Sequence, residues 1–150
     1  MSLTFRLANE SDEDILISQF DHYNNKLLQK KRAECYIHHN STFFMILDNE
    51  IIGRIQWYIK EDPRLGVVEL EEIFICERYR HRGYGYKFLK AAISIIKKNT
   101  IPLHSIFLFV GKENHAMVNI MKKMDFKQVA IISNLFKKDE IVYFFVKSFH

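Results

Sequence analysis

A run of arginines and glycines at residues 80–85, Arg-His-Arg-Gly-Tyr-Gly, has the composition of a phosphate-binding turn. It lies between a predicted strand and a predicted helix, where glycine lets the backbone approach a ligand closely. The first N–H groups of a helix have no carbonyl partner within the helix, and the helix dipole favours an anion there. Arg78, Arg80 and Arg82 add positive charge. The pattern predicts a phosphate cradle, and a plain turn with solvated arginines is the alternative.

Two other phosphate-binding motifs do not fit this stretch. The dinucleotide motif G-x-G-x-x-G is absent, and so is the G-K-[ST] ending of the P-loop. The predicted phosphate cradle is therefore of a different kind from the dinucleotide-binding turn and the P-loop.

Three carboxylates, Glu69, Glu71 and Glu72, lie on the predicted strand that leads to this turn. Alternation along a strand places Glu69 and Glu71 on one face of the sheet and Glu72 on the other. Charges in a central strand usually have a reason, so these residues are candidates for a general base and for an amine-binding wall. The alternative is an exposed sheet region in which they pair with cations such as Arg54 or Lys60.

Hydrophobic periodicity and turn residues predict the elements that position these groups. Strands are predicted at 4–8, 42–47, 51–59, 67–76, 105–110, 128–133 and 141–149. Helices are predicted from an N-cap at Ser11 to about His39, in one or two pieces, and at 84–98 and 114–124. The strand at 105–110 is apolar on both faces, as in a buried central strand. The order strand, helix, strand over 67–110 predicts a right-handed crossover.

The stretch LEEIFICERYRHRGYGYKFLKAAI, residues 70–93, resembles the coenzyme A motif of GNAT N-acetyltransferases, in which R-x-x-G-x-G follows a strand and opens a helix. Asn114 and Phe126 match the N-x(11)-F pattern of that family. The order of elements is similar over nearly the whole chain. The resemblance implies one domain over residues 1–150, with a GNAT-like three-layer α/β/α fold around a mixed, splayed β-sheet.

The resemblance also implies acetyl-coenzyme A as the co-substrate, and no metal. The backbone amides implied to bind its pyrophosphate belong to His81, Arg82, Gly83, Tyr84 and Gly85. Arg80 takes the position whose side chain helps to hold that pyrophosphate, Asn114 contacts the pantetheine arm, and the acetyl group lies near Ile73 and Ile75. The sequence departs from the family at Met121, where many members have a tyrosine.

Among the three carboxylates, Glu69 matches the base position of some members, while Glu71 and Glu72 resemble a signature of polyamine-type acetyltransferases. The reaction implied is direct acetyl transfer, in a ternary complex, to a primary amine of a small cationic acceptor such as a polyamine or an amino-sugar. Two alternatives stay open. One is that the acceptor is a protein N-terminus or lysine, and the other is that the chain binds coenzyme A without catalysis.

Composition limits the remaining classes. The 150 residues are 48% hydrophobic and 27% charged, as in an ordinary soluble domain. No apolar run reaches the ~20 residues of a membrane span and no secretory signal is readable, so a cytoplasmic protein is expected. Cys35 and Cys76 are far apart, which excludes a disulfide framework. The net charge of +4 comes without a nucleic-acid-reading motif, which argues against nucleic acid as a partner. A homodimer stays open.

Overall fold

The computed structural model describes residues 1–19, 24–38, 41–60 and 62–150. Its strands and helices are β1 (Leu3–Leu7), α1 (Glu13–Gln19), α2 (Lys26–His38), β2 (Thr42–Leu47), β3 (Glu50–Ile59), β4 (Val67–Ile75), α3 (Tyr84–Asn99), β5 (Ser105–Gly111), α4 (His115–Lys123), β6 (Lys127–Ser133) and β7 (Ile141–Ser148). Short 3-10 helices at Glu10–Asp12, Pro63–Leu65 and Glu77–Tyr79 precede α1, β4 and α3. The predicted end of the second helix, His39, lies outside the described residues.

The seven strands are hydrogen-bonded in the order β1-β2-β3-β4-β5-β7-β6. β4 and β5 are parallel, whereas the pairs β1/β2, β2/β3, β5/β7 and β6/β7 are antiparallel. The predicted α/β class with a mixed sheet is therefore confirmed.

The described residues group into two compact units. The N-terminal unit contains Met1–Gln56 and Glu72–Cys76, and the C-terminal unit contains Trp57–Glu71 and Glu77–His150. Strands β3 and β4 contribute residues to both units. The expectation of a single domain over residues 1–150 stays a prediction.

In the N-terminal unit, a tight turn joins β2 to β3. Asp48 and Asn49 have φ angles of 48° and 69°, the left-handed conformation that a two-residue type I′ hairpin turn requires at both positions. The core of this unit combines residues of α1, α2, β2 and the end of β1, namely Leu16, Ala33, Tyr36, Ile37, Phe44 and Ala8. The sequence predicted the boundaries of β2.

The helix cap before α1 differs from the prediction. Asn9, not Ser11, is the N-cap, because its side-chain oxygen accepts a hydrogen bond from the Ser11 backbone N–H at 2.9 Å. Asp12 completes a capping box by accepting from the Asn9 backbone N–H at 2.9 Å. Asn9 is thus the N-cap of the 3-10 helix Glu10–Asp12, which continues directly into α1 at Glu13.

In the C-terminal unit, α3 buries one face. The buried residues follow the helical period and are Phe88, Leu89, Ala92, Ile93 and Ile96. Full burial of a large apolar side chain stabilises the fold by about 1.5–3 kcal/mol. In the part of the chain that the structure describes, no helix is both long and apolar enough to cross a membrane.

Strand β5 is less buried than its composition predicted. Ile106, Leu108 and Val110 are buried, whereas Phe107 and Phe109 on the opposite face are only half-buried. The prediction that both faces are covered is therefore wrong for Phe107 and Phe109. An apolar run does not reveal whether a second layer covers each face.

Gly66 aligns the starts of β4 and β5. Its φ angle is 62°, and a Cβ there would lie 1.9 Å from the carbonyl oxygen of Pro102. The Gly66 carbonyl accepts hydrogen bonds from the backbone N–H groups of His104 (2.8 Å) and Ser105 (3.2 Å). The parallel register that follows begins with Val67 opposite Ser105.

A partly buried ion pair in the N-terminal unit gives the fold a pH dependence. Arg6 donates two hydrogen bonds to Asp12, at 2.7 and 2.9 Å, and this bonding lowers the pKa of the Asp12 carboxyl. The folded state thus favours the carboxylate. Its contribution is complete above the ordinary aspartate pKa of about 3.9 and is lost as the pH falls through the lowered pKa of the folded state.

We expect Asp12→Asn to lower the free energy of unfolding by about 1.5–3 kcal/mol at pH 7, as for other hydrogen bonds to charged groups. The difference from wild type shrinks as the pH falls through the lowered pKa of Asp12 in the folded state, because the wild-type carboxyl is then itself protonated. Urea denaturation at several pH values measures this. Asp14→Asn, at an exposed position of α1, is the matched control. If the loss of unfolding free energy in Asp12→Asn does not change with pH, the pH dependence does not come from the Asp12 carboxylate.

Candidate functional site

The predicted phosphate cradle is a turn in the C-terminal unit between the 3-10 helix Glu77–Tyr79 and α3. His81 and Gly83 have φ angles of 59° and 80°, so the chain twice adopts the left-handed conformation. Gly83 is the N-cap of α3 and has no side chain with which to cap it. A Cβ at Gly83 would meet no atom within 4 Å. The N-terminus of α3 therefore has no side-chain cap, and the space into which a Gly83 side chain would extend is open.

Arginine side chains surround this turn. Arg78, Arg80 and Arg82 are all exposed. The guanidinium groups of Arg78 and Arg82 lie over the Tyr79 ring, 4.9 and 5.9 Å from its centroid. Tyr79 in turn meets the edge of Tyr84 at the start of α3, with ring centroids 6.4 Å apart. The aromatic pair thus holds two cations beside the helix N-terminus, where the dipole already attracts an anion.

The parallel pairing of β4 with β5 is short. It comprises the pairs Val67/Ser105, Val68/Ile106 and Glu69/Phe107. Both strands continue beyond it, β4 to Ile75 and β5 to Gly111. Leu70 and Glu71 therefore have no register partner on β5, and the ladder ends at the first of the three carboxylates.

Glu69 is held by a lysine of the neighbouring strand. Lys60 Nζ lies 2.6 Å from Glu69 Oε2, and the Glu69 side chain is 22% exposed. The same ammonium lies 5.5 Å from the ring centroid of Tyr58 and 5.4 Å from that of Phe107. A backbone hydrogen bond from Lys60 N to Val67 O, 2.9 Å long, fixes the two strands at this point.

The other two carboxylates differ from Glu69 in their surroundings. Glu71 is exposed. Glu72 belongs to the N-terminal unit, where Arg54 Nη2 donates to its Oε1 at 2.7 Å. The Arg54 guanidinium also lies 4.9 Å from the ring centroid of Phe74 and is largely buried. The alternative of cation partners considered from the sequence thus holds for Glu69 and Glu72.

The remaining predicted cofactor residues lie on two elements. Ile73 and Ile75 are half-buried on the N-terminal unit's part of β4. Asn114 is the exposed N-cap of α4, where its Oδ1 accepts from the Met117 backbone N–H at 3.2 Å. Among the described residues its Nδ2 has no hydrogen-bond partner, so that donor is available. Met121, at the position of the family's tyrosine, is 0% exposed.

Sequence reasoning missed an aromatic cluster on the Glu69 face of the C-terminal unit. It consists of Phe107 and Phe109 of β5, Phe144 of β7 and Phe136 of the loop between β6 and β7. The spacing of Phe107 and Phe109 at two residues was a readable sign that both lie on the face of Glu69. Their partners come from distant segments, which one sequence does not pair. Among the described residues, no group of three His, Cys, Asp or Glu is placed to hold a metal ion.

Comparison with known proteins gives consistent matches. The model of the acetyltransferase (GNAT) family matches residues 7–126. An N-alpha-acetyltransferase of Sulfurisphaera tokodaii is 25% identical, with 70% of this chain and 68% of that protein covered.

Two solved structures have the same fold. A Salmonella typhimurium protein assigned as an acetyltransferase, solved with its cofactor acetyl-CoA, has a TM-score of 0.79 at 14% identity, over 99% of this chain and 94% of its own. The spermidine/spermine N-acetyltransferase SpeG of Vibrio cholerae has a TM-score of 0.80 at 17% identity, over 98% and 95%. At such identities these likenesses establish the fold alone.

We expect Gly83→Val to weaken acetyl-coenzyme A binding about tenfold or more, because a β-branched residue is strained at this φ angle and its side chain enters the open space. Titration calorimetry measures the affinity, and far-UV circular dichroism checks that the variant is folded. Ser94→Val, at an exposed position in the middle of α3, is the control. Wild-type affinity in a folded Gly83→Val protein would contradict the prediction that this turn binds the phosphates of acetyl-coenzyme A.

Proposed function

The chain belongs to the acetyltransferase (GNAT) family, and from this premise we propose that it transfers the acetyl group of acetyl-coenzyme A to a primary amine by direct attack in a ternary complex. One observation carries the proposal. The strand that bears the carboxylates leads directly into the arginine-lined turn, whose glycine N-cap leaves the start of α3 open.

Membership confirms three predictions made from the sequence. The chain is an acyltransferase of the N-acetyltransferase class, and acetyl-coenzyme A is its co-substrate. The family resemblance drawn from residues 70–93 is correct. The acceptor and the roles of individual residues are proposals.

The cradle residues fit the co-substrate. The open space at Gly83 and the N-terminus of α3, which has no side-chain cap, suit a pyrophosphate, and Arg80 adds a positive charge three residues earlier in the chain. Asn114 offers its Nδ2 to the pantetheine arm. The position of the acetyl group near Ile73 and Ile75 stays the prediction made from the family resemblance, in which a backbone N–H of this part of β4 would polarise its carbonyl.

Glu69 is the proposed base. An amine reaches the site as an ammonium, and it must lose a proton before it attacks. The Glu69 carboxylate, held in one orientation by Lys60, accepts that proton directly or through a water molecule. The C–N bond forms, the C–S bond breaks, and the thiolate leaves. A thiol with a pKa of about 8.5 departs with little help from an acid, so the absence of a tyrosine at Met121 is tolerated.

A small cationic acceptor remains one candidate. Its support is the carboxylate cluster, in which Glu71 is exposed, and the fold shared with a spermidine/spermine acetyltransferase. Carboxylates in a cleft concentrate cations and repel anions. The ion pairs of Glu69 with Lys60 and of Glu72 with Arg54 reduce this attraction.

An α-amine of a peptide is the second candidate. The Lys60–Glu69 ion pair favours it, because a carboxylate that is already paired with a cation attracts a polycation less strongly. The sequence relative that acts on α-amines points the same way. A chain that binds coenzyme A without transferring acetyl groups is the remaining alternative, and it predicts no thiol release with any amine.

We expect Glu69→Gln to lower kcat by about 10²–10³-fold while acetyl-coenzyme A affinity stays the same, since general base catalysis contributes on that order. Free-thiol detection with a panel of amines gives the rate, and calorimetry gives the affinity. The residual rate should rise with pH, because the amine then deprotonates without help. Glu71→Gln and Glu72→Gln are the matched controls. An equal loss in Glu71→Gln would assign the base elsewhere.

We expect Met121→Leu to keep at least about half of the wild-type kcat, because the two side chains are apolar and similar in volume. The buried position argues for a packing role, so Met121→Ala should instead lower stability by about 2–5 kcal/mol. Thermal denaturation and steady-state rates separate the two effects. A several-hundredfold fall in kcat for Met121→Leu, with binding intact, would give this position a chemical role.

A further inference from the structure

Four phenylalanines form a continuous aromatic surface on one face of the C-terminal unit. The ring of Phe144 stacks on Phe109 with centroids 4.9 Å apart and meets the edge of Phe107 at 5.5 Å. Phe136 meets Phe109 edge-on at 5.6 Å. We call these four residues the aromatic surface. Such pairs are favourable beyond the area that they bury, so the rings hold one another in place.

The aromatic surface adjoins the proposed base. Phe107 is the register partner of Glu69, so the two side chains extend from the same face of the sheet. Lys60 bridges them, because its ammonium contacts the carboxylate at 2.6 Å and lies 5.4 Å from the Phe107 centroid. An amine at Glu69 therefore lies beside aromatic rings.

Phe136 is the exposed end of this surface. Its side chain belongs to the loop between β6 and β7, and the residue is 63% exposed although it is large and apolar. The loop is held closed by two hydrogen bonds, from Asn134 N to Glu140 O at 2.8 Å and from Asp139 N to Asn134 Oδ1 at 2.7 Å. A braced loop that presents an aromatic ring to solvent is suited to contact a ligand.

We propose that the acceptor is a primary amine whose adjacent carbon carries an apolar side chain, as in a peptide that begins with an apolar residue. The apolar side chain lies on the aromatic surface, with Phe136 as its outer wall, while the amine lies at Glu69. This inference rests on the proposed function, since it names the acceptor class of the same site.

Lys60 gives the site its preference for a single positive charge. Its ammonium already lies between Glu69, Tyr58 and Phe107, so a polyamine with one amine at Glu69 would bring a further positive charge close to it. A polycation has to displace Lys60 or lie beside it, and repulsion opposes both. An amine with an apolar neighbour meets no such conflict.

Acceptor kinetics with free-thiol detection test the proposal. The panel contains Leu-Ala-Ala-Ala amide, Glu-Ala-Ala-Ala amide, leucinamide and spermidine. We expect kcat/KM for the leucine peptide to exceed that for the glutamate peptide and for spermidine by about tenfold or more. If leucinamide is acetylated as well, the enzyme recognises the first residue of the acceptor alone. If only the peptide is acetylated, recognition also requires the peptide backbone that follows the first residue. Either result supports the proposal, and a preference for spermidine overturns it.

Two variants test which residues cause the preference for the leucine peptide over spermidine. Phe136→Ala should raise KM for the leucine peptide about tenfold and leave kcat within about twofold, because it removes apolar contact and not chemistry. Leu135→Ala, at an exposed position in the same loop, is the matched control. Lys60→Met should raise kcat/KM for spermidine relative to the leucine peptide. Wild-type acceptor kinetics in both Phe136→Ala and Lys60→Met overturn the proposal.

The same data separate this proposal from the one on which it rests. Thiol release with spermidine but not with the leucine peptide keeps acetyl transfer and overturns the apolar acceptor alone. No thiol release with any amine, with acetyl-coenzyme A affinity intact by calorimetry, overturns both.

Discussion

The early end of the parallel ladder between β4 and β5 is the constraint on which the proposed site depends. If the parallel pairing continued past Glu69 and Phe107, the backbone N–H and C=O groups of the two strands would be hydrogen-bonded to each other there. Because pairing stops after three residues, Glu69 lies at the point where the ladder ends, and the strand beyond it runs on toward the phosphate-binding turn. The proposed base and the proposed pyrophosphate cradle thus lie on one stretch of chain, about ten residues apart.

Charge is distributed unevenly along that stretch. The turn at residues 78–82 is cationic, and its arginines rest on an aromatic ring beside a helix N-terminus. The strand before it is acidic, but Lys60 and Arg54 each hold one of its carboxylates. An anionic group is therefore favoured at one end, while the other end keeps ordered carboxylates without a large excess of negative charge.

The sequence predicted the elements whose signals are local. The boundaries of β2 and the start of α3 at Tyr84 each follow from periodicity or turn residues nearby. The turn before α3 was predictable for the same reason, since its glycines are close together in the sequence, and its role as a phosphate cradle stays a prediction. The prediction was wrong where two possible capping residues lie close together, because Asn9 and not Ser11 is the N-cap before the first helix.

Features that depend on partners distant in the chain were beyond the sequence. The Lys60–Glu69 pair was one of several pairings that charge allows, and only the register of β3 against β4 selects it. The aromatic surface joins residues separated by up to 37 positions, Phe107 and Phe144, through the antiparallel pairing of β5 and β7. Burial of a strand face likewise depends on what covers it, which is why Phe107 and Phe109 were misjudged.

Gly66 makes the two ends of the short ladder unequal in their tendency to fray. Its carbonyl accepts hydrogen bonds from two consecutive amides, and its close approach to Pro102 leaves no room for a side chain. We therefore expect local opening of the ladder to begin at the Glu69 end, where fewer hydrogen bonds must break, and to stop before Gly66. Such an opening would separate β4 and β5 only at the end that bears the proposed base and would preserve the register of the strands.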